Sequence, residues 1–489
     1  MQIKPDRETF IESVHAGGRA PVFGEELVPH LDPSALYRGL FLDDPESFLF
    51  ESFAGPDVTT RYSLMGKSNS RLLRIERGVA QFARNGSGET VMDTAGGGLE
   101  QMRFGPEPAD CPPHFWGGWV GYVGYEAGQL FEDLPQGKKS DLPDLYFMQV
   151  ERLAVYDHKT GVLRYIAVSE PGKGDYDRLS GDIRQAWERI RSVLHAQGRK
   201  PAADIQVEPK RTLKRPRAEV RSNLTRPQYM AMVEKAKSYI SEGDIYQANL
   251  AQRFETEFDG DPFDLYLRLR AINPSPFSGF LRFRDLAIVS SSPERLVKVE
   301  DDRIETRPMA GTRPRGKTVE EDHLLARDLL LNEKEKAEHL MLVDLERNDL
   351  GRICESGSVR VTDLMFLEKY SHVAHIVSNI QGTLKPGTAV SDILRAVFPG
   401  GTITGCPKVR CMEIIDELEP VPRGPYSGSL GYIGFARYMD LNIVIRSVVV
   451  KDGRAYFHAG AGIVADSDPE REYQETLDKA AAMMAALRP

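Results

Sequence analysis

The sequence is poor in cysteine, in tryptophan and in long apolar runs. Its 489 residues include 4 cysteines and 3 tryptophans. Four cysteines are too few for a disulfide framework at this length, and their spacing fits no common zinc pattern. No window approaches the ~18 uninterrupted apolar residues of a membrane helix. The N-terminus also lacks the apolar core of a signal peptide. We therefore expect a protein of the reducing cytoplasm with no membrane partner.

A strong excess of either charge is also missing. The chain has 63 basic and 72 acidic residues, which give a net charge of −9. The chain lacks the excess of basic residues that is typical of nucleic-acid-binding proteins, so we expect no nucleic-acid partner. An apolar content of 41% and a charged content of 28% are typical of a soluble globular protein. The length predicts two or three domains, or one large elaborated domain.

The pattern of apolar residues divides the chain into three regions. Residues 1–196 are rich in short strands, residues 197–224 form a polar, charge-dense linker, and residues 225–489 mix strands with helices. The mixture follows no strict alternation and predicts an α+β fold with large antiparallel or mixed sheets.

Helical spacing defines the clearest individual elements. It predicts helices over residues 179–196, 226–242, 262–271, 320–330, 333–346, 390–397 and 408–418, and a last helix after Pro469. Residues 442–450 read as one strand, and a further strand covers residues 454–458.

Two pairs of glutamates stand at helical spacing. Asn332 is a candidate N-cap for a helix that carries Glu335 and Glu338 on one face, and the last helix carries Glu472 and Glu475 in the same way. If the two helices faced each other, the four carboxylates would require a cation between them. All-oxygen ligation suits Mg²⁺. On spacing alone, two solvated acidic faces are the stronger interpretation.

Two glycine-rich segments could bind an anion. Residues 459–466 (AGAGIVAD) follow a strand, and their bare backbone N–H groups could hold a carboxylate. A structural tight turn explains them equally well. Residues 398–408 (FPGGTITGCPK) enter a helix, where hydroxyls and the helix N-terminus favour an anion. A plain connecting loop is an equal alternative.

Three single residues carry possible chemistry. Arg446 ends a hydrophobic run, where its guanidinium could bind a substrate carboxylate or an internal acid. Glu294 follows a strand and Pro293; near an apolar pocket it could donate a proton, but an exposed turn glutamate is the stronger interpretation. His375 reads as a core or substrate-contacting histidine rather than a zinc ligand.

Six separated motifs together resemble one known family. They are SSPERL, ETRPMAGTRPRG, EKAEHLMLVDLERNDLGR, EKYSHVAHIVS, FPGGTITGCPKVR and AGAGIVADSDPEREYQET. In this order they resemble the chorismate-utilising enzymes, which include anthranilate, aminodeoxychorismate and isochorismate synthases. The resemblance covers about residues 225–485 and, more weakly, residues 20–170. It implies β-sheets packed as a sandwich with helices outside.

The resemblance also implies roles for individual residues. Chorismate would be the substrate and Mg²⁺ the cofactor. Glu338 and Glu475 resemble direct Mg²⁺ ligands, and Glu335 and Glu472 resemble ligands that act through water. The implied catalytic residues are Glu294, His375, Thr402 and Lys408, and the implied substrate contacts are Gln247, Ala310, Gly311, Thr312, Tyr426, Arg446, Gly460 and Gly462.

Two positions bear on the branch of the family. Gln247 resembles the ammonia-using members, which receive ammonia from a separate glutamine amidotransferase subunit. Ala310 stands where many aminodeoxychorismate synthases carry a nucleophilic lysine, and anthranilate synthases carry alanine there. The other motifs favour the aminodeoxychorismate branch, which leads to p-aminobenzoate and folate. Anthranilate synthase component I, of tryptophan biosynthesis, is the alternative, and a non-catalytic chorismate-binding homologue is a minor one.

The resemblance extends to a tryptophan pocket of regulatory or structural character. Its candidate contacts are Ser52, Pro274, Ser275 and Phe277.

Overall fold

The computed structural model describes residues 1–16, 18–52, 61–84, 90–135, 137–197, 219–316, 318–369 and 373–488. Most of the predicted linker, residues 198–218, lies outside these ranges. The helices of the described residues are α1 Arg7–His15, α2 Pro33–Leu40, α3 Ala95–Glu100, α4 Tyr176–Gln197, α5 Arg226–Ser241, α6 Pro262–Ile272, α7 Val319–Leu331, α8 Glu333–Gly351, α9 Val390–Val397, α10 Lys408–Leu418 and α11 Pro469–Leu487.

The strands of the described residues are β1 Ile3–Lys4, β2 Pro21–Leu27, β3 Glu46–Glu51, β4 Tyr62–Glu76, β5 Val79–Arg84, β6 Thr90–Thr94, β7 Gly118–Val123, β8 Leu145–Asp157, β9 Val162–Val168, β10 Arg221–Ser222, β11 Gln247–Glu257, β12 Phe277–Phe283, β13 Leu286–Ser292, β14 Arg295–Glu300, β15 Arg303–Thr306, β16 Met309–Pro314, β17 Arg360–Lys369, β18 Val373–Thr383, β19 Gly405–Cys406, β20 Ser429–Gly434, β21 Tyr438–Ile443, β22 Ser447–Lys451 and β23 Arg454–Ile463.

The strands form one antiparallel system with two arms that branch at β8. One edge of β8 pairs with β4, and the other pairs with β7 and β9. The first arm continues from β4 through β3, β12, β13, β22 and β23 to β11. The second continues from β7 through β20, β21, β14 and β15 to β18, which also pairs with β16 and β17. The predicted α+β fold is confirmed.

The two arms pack face to face around a core of large apolar side chains. Tyr146 stacks on Phe283 with ring centroids 3.8 Å apart, and Phe50 lies 6.4 Å from Tyr432. Helices α4, α6 and α11 contribute to a cluster on the outside of the first arm, and α8 and α9 contribute to one on the second arm. The arrangement is the sandwich with outer helices that the resemblance implies.

Strands from both halves of the chain meet in this sheet. Strand β3 of the N-terminal region pairs with β12, and β7 pairs with β20. The predicted regions 1–196 and 225–489 therefore share one sheet, and their division into domains stays a prediction. Within the described residues, no helix combines the length and the apolarity needed to cross a membrane.

The chain passes between the arms at two neighbouring points. It leaves β13 for β14 through Glu294, and it leaves β21 for β22 through Arg446. The Ile443 N–H donates to the Glu294 carbonyl at 3.0 Å, and the Ser291 N–H donates to the Arg446 carbonyl at 3.2 Å. The single strand predicted over residues 442–450 is wrong, because the backbone turns at Arg446 with a φ of 50° and joins the other arm.

The starts of the two glutamate helices follow the capping rules. Asn332 accepts the Glu335 N–H at 3.1 Å before α8. Asp468 accepts the Arg471 N–H at 3.0 Å before α11, where Pro469 occupies the first turn. Each cap satisfies a backbone donor that has no partner inside the helix.

Gly121 tests whether close strand approach holds the branch point together. It lies on β7 between β8 and β20, and a methyl group there would lie 2.1 Å from the Tyr146 carbonyl oxygen. We expect Gly121→Ala to destabilise the protein by about 1–3 kcal/mol, because the strands must move apart. Thermal and urea unfolding followed by circular dichroism measures the change.

Gly181→Ala on α4 is the matched control, since a methyl group there meets nothing within 4 Å. It should leave stability unchanged or raise it by up to about 1 kcal/mol. Equal stability of the two variants would contradict the packing described for β7.

Candidate active site

Glu294 and Arg446 meet where the chain crosses between the arms. Glu294 is only 6% exposed, so the interpretation as an exposed turn glutamate is wrong. Burial raises the pKa of Glu294 to about 7, and the nearby cations Arg446 and Lys479 offset this only in part. A buried carboxyl group that still holds its proton near neutral pH is suited to donating that proton.

The AGAG segment forms one wall of the site as part of a strand. The alternative of a tight turn is wrong for residues 459–463, because they continue β23 and pair with β11. Strand β22 pairs with β23 only at residues 454–456, so no described strand covers the second edge of β23 at Gly460. A methyl group at Gly460 would lie 2.6 Å from Asn249 Oδ1 and 2.8 Å from the Tyr426 hydroxyl. Glycine here lets these polar groups approach the face of the strand closely.

Gln247 and Glu338 meet at the end of the same wall. Gln247 Nε2 donates to Glu338 Oε1 at 2.6 Å, which joins the start of β11 to helix α8. A methyl group at Gly462 would lie 2.6 Å from Gln247 Nε2 and 3.8 Å from Glu338 Oε1. The neutral amide of Gln247 thus faces the predicted metal ligand.

Glu335 and Glu475, one from each pair, contact cations. Glu335 accepts from Arg313 at 3.1 Å. Glu475 lies 2.7 Å from Lys479, whose ammonium donates to the Gly460 carbonyl at 2.9 Å. Glu472 lies one turn before Glu475 on α11. The carboxylate of Glu338 thus lies close to Gly462. Glu475 is linked to Gly460 by Lys479, which contacts both.

The Mg²⁺ site stays a prediction. Among the described residues, no group of three or more His, Cys, Asp or Glu side chains is close enough to hold a metal. The donor set nevertheless fits Mg²⁺, which needs only one or two carboxylates when substrate oxygens and water complete its shell. Glu338 and Glu475 are the residues that would hold it.

Strand β16 places Ala310 and Gly311 beside His375. The pairing of β16 with β18 shifts between Ala310 and Thr312, and Gly311 takes up the bulge with a φ of 64°. His375 Nδ1 lies 3.0 Å from the Gly311 carbonyl, to which it can donate. Burial lowers the pKa of His375 to about 4, so the ring is neutral. The side chain of Thr312 lies outside the described residues.

The loop over residues 398–408 brings one predicted residue to Glu294. The Thr402 hydroxyl neighbours the Glu294 carboxyl and favours its charged form. Lys408 is buried, and its ammonium binds Asp349 on α8 at 2.8 Å. The structure brings Thr402 into the site, whereas a catalytic role for Lys408 stays a prediction.

The sequence interpretation missed three charged residues of the site. Lys479 stands four residues after Glu475, so the helical spacing alone could have found it. Arg423 is 2% exposed and donates to Glu419, to the Ile403 carbonyl and to the Asn249 carbonyl, which ties β11 to the Thr402 loop. Burial raises the pKa of Glu346 on α8 well above its usual value. No spacing signal marks Arg423 or Glu346.

The residues predicted to contact tryptophan lie together at one end of β3 and β12. Ser278 pairs with Glu51, and this register carries Ser52 to the level of Phe277. Ser275 is buried and accepts from Asn273 at 3.3 Å. The pocket stays a prediction.

Comparison with known proteins shows the family of the chain. The sequence model of the chorismate binding enzymes matches residues 62–485. The chain therefore belongs to the chorismate-binding enzyme family.

Individual relatives fall in two branches of that family. Anthranilate synthase component 1 of Aquifex aeolicus is 40% identical over 475 residues, which cover 96% of this chain and 94% of that protein. Aminodeoxychorismate synthase component 1 of Bacillus subtilis is 45% identical over 378 residues, or 77% and 78% of the two chains. The solved structure of anthranilate synthase component I from Streptococcus pneumoniae has a TM-score of 0.75 at 36% identity and covers 87% of this chain and 92% of its own.

Infrared difference spectroscopy tests the state of Glu294. With a pKa of about 7, its protonated carboxyl band should be present at about pH 6 and should fade as the pH rises through 7. We expect Glu294→Gln to remove this component of the titration. Glu333→Gln is the control, because the Glu333 side chain is 90% exposed on α8. A Glu294 band that is already lost at about pH 5 would contradict the burial described.

Proposed function

We propose that the chain is the ammonia-using component of an anthranilate synthase. In this reaction chorismate and ammonia give anthranilate, pyruvate and water. A separate glutamine amidotransferase subunit supplies the ammonia, and Mg²⁺ is the cofactor.

The observation that carries this proposal is Ala310. It lies on β16, directly before the bulge at Gly311 and on the strand that pairs with His375. A methyl group offers no nucleophile, so ammonia itself must attack the ring. The relatives that match nearly the whole chain bear the name anthranilate synthase component 1, which also supports the proposal. They favour this alternative over the aminodeoxychorismate synthase that the motifs first indicated.

Charge compensation explains how the site would bind chorismate, which is a dianion. Arg446 is half-buried at the crossing and offers a planar fork to the enolpyruvyl carboxylate. The open edge of β23 at Gly460 and the hydroxyl of Tyr426 line the same region. When bound, Mg²⁺ supplies positive charge at the ring carboxylate.

Glu294 would perform the proton transfer, and Gln247 would leave water without a base. Ammonia adds to the ring carbon, and the ring hydroxyl leaves as water after it takes the proton from Glu294. The amide of Gln247 is neutral and cannot act as the base that would activate water. Loss of a ring proton and release of the enolpyruvyl group as pyruvate then complete the aromatic ring.

Aminodeoxychorismate synthesis is the second candidate. The Bacillus subtilis relative of that name shares 45% identity over 378 residues. In this reaction ammonia replaces the ring hydroxyl and the enolpyruvyl group stays. Glu294 would serve the same proton transfer in both reactions.

A product assay separates the two candidates. The purified chain is incubated with chorismate, Mg²⁺ and an ammonium salt, without any other enzyme. We expect anthranilate fluorescence and an equal amount of pyruvate. If p-aminobenzoate forms only after aminodeoxychorismate lyase is added, and no anthranilate appears, the first candidate is wrong. No turnover with any nitrogen source, with chorismate still bound, would indicate the non-catalytic homologue.

Replacement of Glu338 or Glu475 by glutamine tests the metal ligands. Each change removes one carboxylate from the proposed Mg²⁺ site, and we expect turnover to fall by at least about 10²-fold while the circular dichroism spectrum is retained. Glu333→Gln, on the exposed face of the same helix, should keep full activity. Near-normal rates for Glu338→Gln and Glu475→Gln would rule out this metal assignment.

A further inference from the structure

A cavity lined mostly by residues of the N-terminal region lies apart from the residues of the chorismate site. It has a volume of about 500 Å³ and lies beside the middle of β4 and β8 and the start of β7. This volume falls in the range of small-molecule sites. None of the site residues described above lines it.

Aromatic rings form much of its wall. Trp116 and Trp119 are 3% and 4% exposed and line the cavity with Phe82 and Phe435. The rings of Trp116 and Phe435 are 5.9 Å apart. The accessible edges of these rings give the cavity a rigid aromatic lining, which suits a planar ring as the occupant.

The remaining wall is positively charged. Arg19, Arg71 and Arg103 line the cavity, and no Asp or Glu is among the described lining residues. Arg19 binds Glu151 behind the wall, and its guanidinium lies 4.2 Å from the Phe435 ring centroid. Arg103 binds Glu100 at 2.8 Å.

Arg71 supplies a positive charge that no described residue compensates. No described residue forms a salt bridge with it, and its repulsion contributes to the lowered pKa of Arg19. The wall therefore has one positive charge in excess, which one anionic group of a ligand would neutralise. An amino acid fits poorly, because its ammonium group would find no carboxylate among the described lining residues.

We propose that this cavity binds a planar aromatic monocarboxylate, with the carboxylate on Arg71 and the ring against Trp116 and Trp119. Simple benzoates and the aminobenzoates belong to this chemical class. The site is separate from the tryptophan pocket expected near Ser52 and Phe277.

Isothermal titration calorimetry tests the proposal without any turnover. Benzoate, 2-aminobenzoate and 4-aminobenzoate are titrated into the full chain in the absence of Mg²⁺, with benzamide as the neutral analogue and L-tryptophan as the amino acid. We expect saturable binding of at least one acid, at least tenfold weaker binding of benzamide, and weakening by salt. Absence of saturable binding of every acid would overturn the proposal.

Arginine variants locate the binding. Arg71→Gln should weaken it at least tenfold, and Arg103→Gln, which changes an exposed side chain, should weaken it by about two- to threefold. Arg184→Gln alters an exposed arginine of α4 and should leave binding of the acid unchanged. Arg446→Gln, in the chorismate site, should also leave it unchanged. Loss of binding in Arg446→Gln with normal binding in Arg71→Gln would place the acid in the chorismate site and contradict the proposal.

Tryptophan fluorescence gives a second measurement. Two of the chain's 3 tryptophans line the cavity, whereas Trp187 is buried on α4. Benzoate should change the emission of Trp187→Phe as it does that of the unchanged chain, and should change that of Trp119→Phe less. An unchanged response in Trp119→Phe would overturn the placement of the ring.

Discussion

The whole site depends on two adjacent crossings of the chain between the arms of the sheet. The backbone bonds from Ile443 to Glu294 and from Ser291 to Arg446 lock the crossings side by side. Because both ends of each crossing continue into buried strands, neither can shift without moving a layer of the sandwich. The fold therefore holds Glu294 and Arg446 next to each other, in a position that an isolated loop would not maintain.

Acidic and basic side chains then offset each other's charge around the two crossings. Burial raises the pKa of Glu294 to about 7, so at neutral pH it adds less than a full negative charge where a dianionic substrate would bind. Arg446 at the crossing and Lys479 on α11 contribute positive charge. Glu335 and Glu338 on α8 and Glu475 on α11 are held by Arg313, Gln247 and Lys479, partners that a metal ion or a substrate could replace.

Local rules predict the regular parts of this molecule well. Capping and apolar spacing locate α9 and α10 at the observed bounds and α8 from its first residue, because such signals lie within a few residues of each other. They fail at residues 442–450 and 459–466. Arg446 separates β21 from β22, where the sequence predicted one strand. The AGAG segment extends β23, which the sequence predicted to end at residue 458. Both deviations depend on distant strands, and both lie in the candidate site.

The same limit applies to the side chains of the site. Glutamate spacing indicates a shared face on α8 and on α11, but it cannot show that side chains of both helices approach β23. The resemblance to the chorismate-utilising enzymes supplied that link. Arg423 had no local signal, because its partners Glu419, Ile403 and Asn249 come together only in the folded chain.

A structure of the chain with Mg²⁺ and an unreactive chorismate analogue tests the central claim most directly. The account predicts one ion between Glu338 and Glu475, bound to the ring carboxylate, with Arg446 on the second carboxylate and Glu294 beside the ring hydroxyl. It also predicts that Glu338 turns from Gln247, and Glu475 from Lys479, toward the ion. An analogue bound elsewhere, or Arg446 turned away from it while both glutamates keep their present partners, would contradict the account.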